Sequence, residues 1–165
     1  MAWKKCLECK RSLEDRKSRL NEINEVIKEK SARLNDLESS KGAVTELKTE
    51  IEGMEELDSE AKAEGMAEIN AAYEDISNEA TTVSSEVGES IKDLDGLKQE
   101  TSESLNAAQK AQQSEKKLMQ ACADKGIKVS DGSMDDNIEE NQELLEEIIG
   151  RMQDADTIAS RLDTL

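Results

Sequence analysis

The sequence predicts an all-α protein, built as an elongated antiparallel coiled-coil helical hairpin with a third, C-terminal helix. The 165 residues contain no Pro, and strong helix formers dominate the composition. Only 35% of the residues are hydrophobic and 1% are aromatic, which argues against a compact globular core. A formal charge of -17 is also typical of disordered chains. Long heptad repeats are typical of helices, and they decide between the two interpretations.

The first helix is predicted from a heptad repeat that begins at Cys6. Its a positions continue with leucine or isoleucine every seven residues, as a coiled-coil seam requires. The repeat slips by three residues near Gly42, which indicates either an irregularity within one helix or a break. The a positions are Cys6, Leu13, Leu20, Ile27 and Leu34.

The second helix is predicted from an apolar seam that runs from Met66 to Cys122. Most of the seam keeps one heptad frame, which indicates a helix of about 60 residues and on the order of 90 Å. Its weak layers carry small or polar side chains, at Ala80, Ser90, Thr101 and Ser104.

A loop and a third helix complete the predicted chain. Gly126 suits the left-handed backbone conformation that commonly ends a helix. Ser133 is the predicted N-cap of the third helix, with Asp135 and Asp136 in its first turn. The predicted organisation is a hairpin over 1–123, a loop over 124–133, and a helix over 134–165 that packs on the hairpin or on a partner. Its broad apolar face is the predicted interaction surface: Leu144, Ile148, Ile149, Met152, Ile158 and Leu162.

The hairpin register follows from residues that would face each other across the seam. Pairs such as Leu34 with Leu94, or Ile51 with Ile76, have residue numbers that add up to about 128. This register places the turn near 58–66, on Glu64-Gly65, with Asp58 and Gly42 as alternative positions. The helix-forming stretch "AKAE" just before Gly65 favours the alternatives.

The same register brings the three cysteines, Cys6, Cys9 and Cys122, into one layer at the open end of the hairpin, with Trp3 opposite Ile127 just beyond. Three interpretations follow. The thiols serve as small apolar core residues, or Cys122 forms a disulfide with one of the other two, or all three bind zinc with a fourth ligand such as Glu8 or Asp124. The apolar interpretation is preferred, and no metal site is assigned.

Arg16 and Lys30 interrupt the seam at d positions, and Thr101 and Ser104 are the polar positions opposite. These cations either extend along a loosely packed seam to reach solvent, or specify the register, or keep a groove suboptimal for a partner.

The sequence does not predict an enzyme, and it implies no cofactor. It contains no His, it lacks a glycine-rich phosphate loop, and a thin helical bundle offers no deep pocket. The stretch "DGSMDDNIEE" has several carboxylates but not the spacing of a calcium loop, so a helix N-terminus is the preferred interpretation.

The charge distribution limits the classes of molecule that the protein is expected to bind. Residues 1–30 carry nine Lys/Arg and six Asp/Glu, so the remainder holds a net charge of -20. Such acidity disfavours nucleic acids and anionic lipids, and no apolar stretch is long enough to insert into a membrane. The default compartment is cytoplasmic, with export in the absence of a Sec signal as an alternative.

The long acidic hairpin, the missing Sec signal and the lack of enzymatic features resemble the small helical proteins of type VII secretion. These are the WXG-type hairpins and the helper proteins encoded with LXG toxins, and the resemblance covers residues 4–123. It implies a secreted partner or targeting chaperone that pairs with another helical protein. The only Trp is Trp3, and "EDIS" follows Tyr73 in place of the family's export signal.

A second resemblance is local. The stretch "ADKGIKVSDGSMDDNIEE" is similar to a short unit in phage tail and surface proteins, which implies a structural or assembly role.

The expected function is therefore a non-enzymatic helical interaction module, a helper of another helical protein. The alternatives are a scaffolding subunit of a phage-like assembly that associates with itself, and a thiol- or zinc-responsive coiled coil.

Overall fold

The computed structural model describes residues 2–126 and 134–165, without the side chains of residues 2–7, 119 and 134. Within these ranges it contains three helices: α1 (Ala2–Gly53), α2 (Ser59–Asp124) and α3 (Met134–Leu162). No strand occurs in the described ranges. The predicted all-α class, with a hairpin of two long helices and a third helix, is confirmed.

The hairpin turn lies between Gly53 and Ser59, and not on Gly65. The side-chain carboxylate of Asp58 accepts a hydrogen bond of 2.8 Å from the backbone N–H of Ala61, so Asp58 is the N-cap of α2. Once α2 begins at this cap, the helix-forming residues after it continue through Gly65 without interruption. The preferred turn position was wrong, and the alternative near Asp58 lies next to the observed turn.

The chain divides into two compact units, each of which contains parts of all three helices. One unit comprises Met1–Asn24 and Lys92–Gln153. The other comprises Glu25–Ile91 and Asp154–Leu165.

In the first unit, α2 runs antiparallel to both other helices. Arg16 of α1 contacts Thr101 of α2, so residue numbers across this seam add up to 117. Asn141 of α3 contacts Arg16 at the same level. Asp135, six residues earlier in α3, forms a hydrogen bond with Gln112, which lies eleven residues after Thr101 in α2, so α3 and α2 run in opposite directions. The buried apolar residues of this unit are Leu13, Leu20, Leu94, Leu97, Ala108, Leu144 and Ile148.

In the second unit, α3 runs parallel to α1. Arg161 contacts Glu38, and four residues later the main-chain oxygen of Leu165 accepts a hydrogen bond of 2.7 Å from Lys41. Lys30 pairs with Glu86 across the α1–α2 seam, where residue numbers add up to 116. The buried apolar residues of this unit are Ile27, Leu34, Leu37, Ile69, Ile76, Ala80, Val83, Val87, Ala155, Ile158 and Leu162.

The predicted helix ends are in part observed. Gly126 has a φ of 74°, the left-handed conformation predicted for it, and α3 has Asp135 and Asp136 in its first turn. Ser133 and Ile127 lie outside the described residues, as does the side chain of Trp3.

Candidate functional site

Arg16 lies in the centre of a polar cluster that joins all three helices. Its side chain is only 2% exposed. One terminal nitrogen donates hydrogen bonds of 2.9 Å to the Thr101 hydroxyl and to Oδ1 of Asn141, and the other donates one of 3.1 Å to Ser104. The Nε–H bonds the carbonyl of Ser12 one turn earlier in α1. The guanidinium is thus enclosed and satisfied, and it does not reach solvent as one sequence interpretation proposed.

Asn141 supplies the contribution of α3 to this cluster and was not predicted. Its side chain is fully buried, and its amide nitrogen donates to the carbonyl and to the side chain of Asn137 at 2.7 and 3.0 Å. The position was visible in the sequence, because Asn141 falls on the apolar stripe between Ile138 and Leu145. A lone Asn within such a stripe is typical of residues that specify the register of packed helices.

The cluster contains a buried positive charge with neutral hydrogen-bond acceptors. Burial lowers the pKa of Arg16 below its ordinary value, and the charge of nearby Glu100 opposes this. An arginine keeps its proton at any physiological pH, so the three helices must provide acceptors at this level. Sliding one helix against another would remove those acceptors and leave the charge without partners, which supports the interpretation of Arg16 as a register residue.

Lys30 occupies the other charged d position and, unlike Arg16, pairs with carboxylates. Its side chain is 14% exposed and its amine pairs with Glu29 at 3.3 Å and with Glu86 across the seam. The hydrogen bond with Glu86 raises the pKa of Lys30. Lys30 therefore lies along the seam and reaches its partners at the surface.

Further interhelical ion pairs involve surface carboxylates. Arg19 bonds both oxygens of Glu100, at 2.7 and 3.3 Å, and Arg161 of α3 bonds both oxygens of Glu38 of α1. Lys17 pairs with Glu140 at 3.0 Å, and Arg33 pairs with Glu79. Bidentate pairs of this kind fix orientation more than they add stability.

The predicted interaction residues of α3 are mostly internal. Leu144, Ile148, Ile158 and Leu162 are buried, while Met152 is half-buried and Ile149 is 38% exposed. Because the broad apolar face of α3 packs against the chain's own helices, these four residues serve the core and do not form a free partner surface. The alternative in which α3 packs on the hairpin is the one observed.

The cysteine layer is not formed. Extending the contact of Arg16 with Ser104 along the register puts Cys9 opposite about residue 111, and Cys122 lies eleven residues farther along α2, about 16 Å. Cys9 and Cys122 are both free thiols. The side chain of Cys6 lies outside the described part of the chain, and the remaining described residues contain no group of three or more Cys, Asp or Glu side chains arranged to hold a metal. The shared layer was wrong because it depended on the turn at Gly65.

The hairpin continues beyond the level at which α3 ends. Leu162 and Leu165 line a shallow cavity with Ser77 and Ala80 of α2, and Lys41 marks the corresponding level on α1. Residues 42–76, which we call the hairpin tip, therefore have no α3 residue beside them in the described part of the chain.

The two helices of the tip pack closely on each other. Ile69 and Ile76 are buried, and the hydroxyls of Thr45 and Tyr73 lie 2.8 Å apart. A Cβ atom placed on Gly65 would lie only 3.1 Å from Cδ1 of Ile51, so the glycine allows α1 and α2 to approach each other here.

One apolar stripe of the tip remains partly uncovered. It comprises Val44, Leu47 and Ile51, which share one face of α1, and Met54, the first residue after α1 ends; we call these four residues the tip stripe. Val44 and Ile51 are half-buried, whereas Leu47 is 52% and Met54 is 46% exposed. The predicted seam paired Ile51 with Ile76, and both are at least half-buried, whereas Leu47 and Met54 are in contact with solvent. The tip stripe is the candidate functional site.

These features define an all-α protein in which an antiparallel helical hairpin carries a third packed helix and a partly uncovered tip. No protein family, curated protein or solved structure matches the chain. None of the described helices is long and apolar enough to cross a membrane.

Proposed function

We propose that this chain is a non-enzymatic helical interaction module that acts as a helper or targeting partner of another helical protein. The observation that carries the proposal is the tip stripe, where Leu47 on α1 and Met54 just beyond its end remain about half exposed. Large side chains on one exposed helix face are the usual anchors for a helix laid into a groove.

The rest of the molecule supports a role for the tip in binding. In both units the third helix supplies buried apolar side chains, such as Ile148 in one and Leu162 in the other. In the described part of the chain the tip consists of two helices, so a helix contributed by a partner would add a third packing element there. Covering the exposed halves of Leu47 and Met54 would contribute roughly 1 kcal/mol each.

The partner we propose is a helical protein, in keeping with the resemblance to helper proteins of type VII secretion. The proposed site of action is the cytoplasm, with export alongside the partner as an extension of the same proposal. A helper of this kind binds one partner and remains a small species, whereas a scaffolding subunit would form large assemblies of its own.

A binding panel tests the proposal on the full-length chain. Three peptides of about 20 residues carry the same leucines at helical spacing, with flanking residues that are basic, neutral or acidic. Fluorescence anisotropy of the labelled peptides is measured with the natural chain and with a Leu47→Gln/Met54→Gln variant. The expected result is that at least one peptide binds and that the variant loses about tenfold or more in affinity.

The control variant is Leu118→Gln, because Leu118 is 65% exposed on α2 outside the tip. Circular dichroism establishes that each variant is folded. If no peptide binds, or if Leu118→Gln lowers affinity as much as the tip variant, the proposed function is overturned. Sedimentation over a range of concentrations is the second test, and large assemblies in the absence of peptide would also contradict it.

A further inference from the structure

We propose that the hairpin tip selects a basic amphipathic helix, with apolar anchors on one face and Lys or Arg along its flanks. This inference rests on the proposed function and adds the chemistry of the partner. It is carried by the coincidence of an uncovered apolar stripe with a strongly acidic segment of the chain.

The tip is strongly negatively charged. Residues 42–76 contain eleven Asp/Glu and two Lys, a net charge of -9 out of -17 for the whole protein. Residues 131–165 carry the same net charge, from eleven Asp/Glu and two Arg, so the tip is one of two strongly acidic segments of the chain. Such a concentration creates a local negative potential that attracts cationic partners and speeds their association.

The pairing of the carboxylates beside the stripe decides whether they are open to a partner. Several carboxylates outside the tip pair with a cation of another helix, as Glu38 does with Arg161 and Glu100 does with Arg19. Among the described side chains, no cation forms an ion pair with Glu46 or Glu50. The negative charge beside the stripe is thus available to a partner.

These two residues are well placed for that role. Glu50 lies three residues after Leu47 on the same helix, so the two side chains are neighbours on the surface of α1, and Met54 follows four residues later, just past the end of that helix. Glu46 lies one turn before Glu50, and both are exposed. A helix that covers Leu47 and Met54 would bring its flanking residues next to these carboxylates.

The same charge argues against other occupants. A second copy of this chain would bring a tip of -9 against a tip of -9, and the two would repel each other. Nucleic acids and anionic membrane surfaces would be repelled for the same reason. A basic helix is the occupant that satisfies both the apolar stripe and its acidic border.

The test compares four peptides with the full-length chain. The basic amphipathic peptide is set against the neutral and acidic ones and against a basic peptide of the same composition whose leucines are scattered around the helix. We expect the basic amphipathic peptide to bind about tenfold or more tightly than each of the others. Its affinity should fall steeply between about 0.05 and 0.5 M salt, because the attraction is between exposed charges.

Charge reversal at the tip provides the decisive comparison. Glu46→Lys/Glu50→Lys should weaken binding of the basic amphipathic peptide about tenfold. The matched control is Glu139→Lys/Glu143→Lys, which makes the same change on two exposed residues of α3 with the same spacing. The control should leave the affinity within about twofold of the natural chain.

The outcomes separate this inference from the proposed function. If the neutral peptide binds as tightly as the basic one, and Leu47→Gln/Met54→Gln still weakens binding, the tip binds helices without selecting their charge. In that case only the present inference is overturned. Equal binding of the scattered basic peptide, or equal effects of the two charge reversals, would show attraction to overall charge and would also overturn it. If no peptide binds, both proposals fail.

Discussion

Arg16 of α1 and Asn141 of α3 form a hydrogen bond of 2.9 Å at a level where both side chains are almost completely buried. Thr101 and Ser104 of α2 accept from the same guanidinium. One buried charge therefore depends on all three helices, and this dependence leads to the first prediction.

Asn141→Leu should destabilise the protein by about 1–3 kcal/mol, because Arg16 loses an acceptor while its charge stays buried. The double variant Arg16→Met/Asn141→Leu should recover most of this loss, since an apolar pair of similar volume leaves no charge without partners. Urea denaturation of the single and double variants measures the coupling between the two residues.

The control for this cycle is Gln142→Leu, a substitution of an exposed residue one position along α3. It should change the free energy of unfolding by less than about 0.5 kcal/mol. A single Asn141→Leu variant as stable as the natural chain would contradict the role assigned to the cluster.

The second prediction concerns the hairpin turn. Asp58→Ala should lower the free energy of unfolding by about 1 kcal/mol, because the N–H of Ala61 loses the side-chain acceptor that begins α2. Asp58→Asn retains an oxygen acceptor at this position and should have a much smaller effect. Thermal denaturation followed by circular dichroism compares the two variants. Equal losses in both would show that the charge of Asp58, and not the cap, is responsible.

The third prediction concerns pH. A hydrogen bond from Arg161 lowers the pKa of Glu38 from its ordinary value of 4.5. A carboxyl group whose folded-state pKa is lowered adds stability above its unfolded pKa, and loses that contribution as the pH falls through the folded-state value. The natural chain should therefore exceed Glu38→Gln in stability near pH 6, and the difference should shrink toward about pH 3.

The measurement is urea denaturation of both proteins at each pH. Taking the difference between them removes the general effect of protonating the many other carboxylates. A difference that grows as the pH falls would have the wrong sign and would contradict the ion pair. The pair is exposed, so the effect is small and should decrease with added salt.

The fourth prediction concerns the thiols. In a Cys6→Ser variant, mild oxidation should form no intramolecular disulfide, because the register separates Cys9 from Cys122 by about 16 Å and a disulfide needs Cα atoms within about 7 Å. Non-reducing electrophoresis and intact mass detect the product. Rapid formation of an intramolecular Cys9–Cys122 bond in dilute solution would show that the register described here is wrong.

Much of the core could be predicted from the heptad repeat. Leu13, Leu20 and Leu34 are buried as the a positions required, and Leu94 and Leu97 are buried on α2. Such positions are predictable because helical spacing alone decides which side chains share a face. Leu47 belongs to the same kind of pattern but is exposed, because α3 ends before the level of Leu47. The repeat does not reveal where α3 ends, so this exposure could not be predicted.

The register could not be predicted in the same way. A seven-residue repeat matches itself at several offsets, and the pairs that suggested a sum of about 128 are as regular as the observed pairs near 117. What distinguishes the alternatives is the match of particular polar groups, such as Arg16 with Asn141. That match includes a residue of the third helix, which a two-helix comparison leaves out.

By itself, the sequence determined that the chain forms long helices, that one face of each is apolar, and that the net negative charge lies after residue 30. These properties follow from local spacing and composition. Only the tertiary structure decided the register, the burial of Leu144 and Ile148 in the chain's own core, the separation of the cysteines, and the exposure of Leu47 and Met54. The physical reason is that these features depend on which helices meet and where they end, and packing between distant residues settles both.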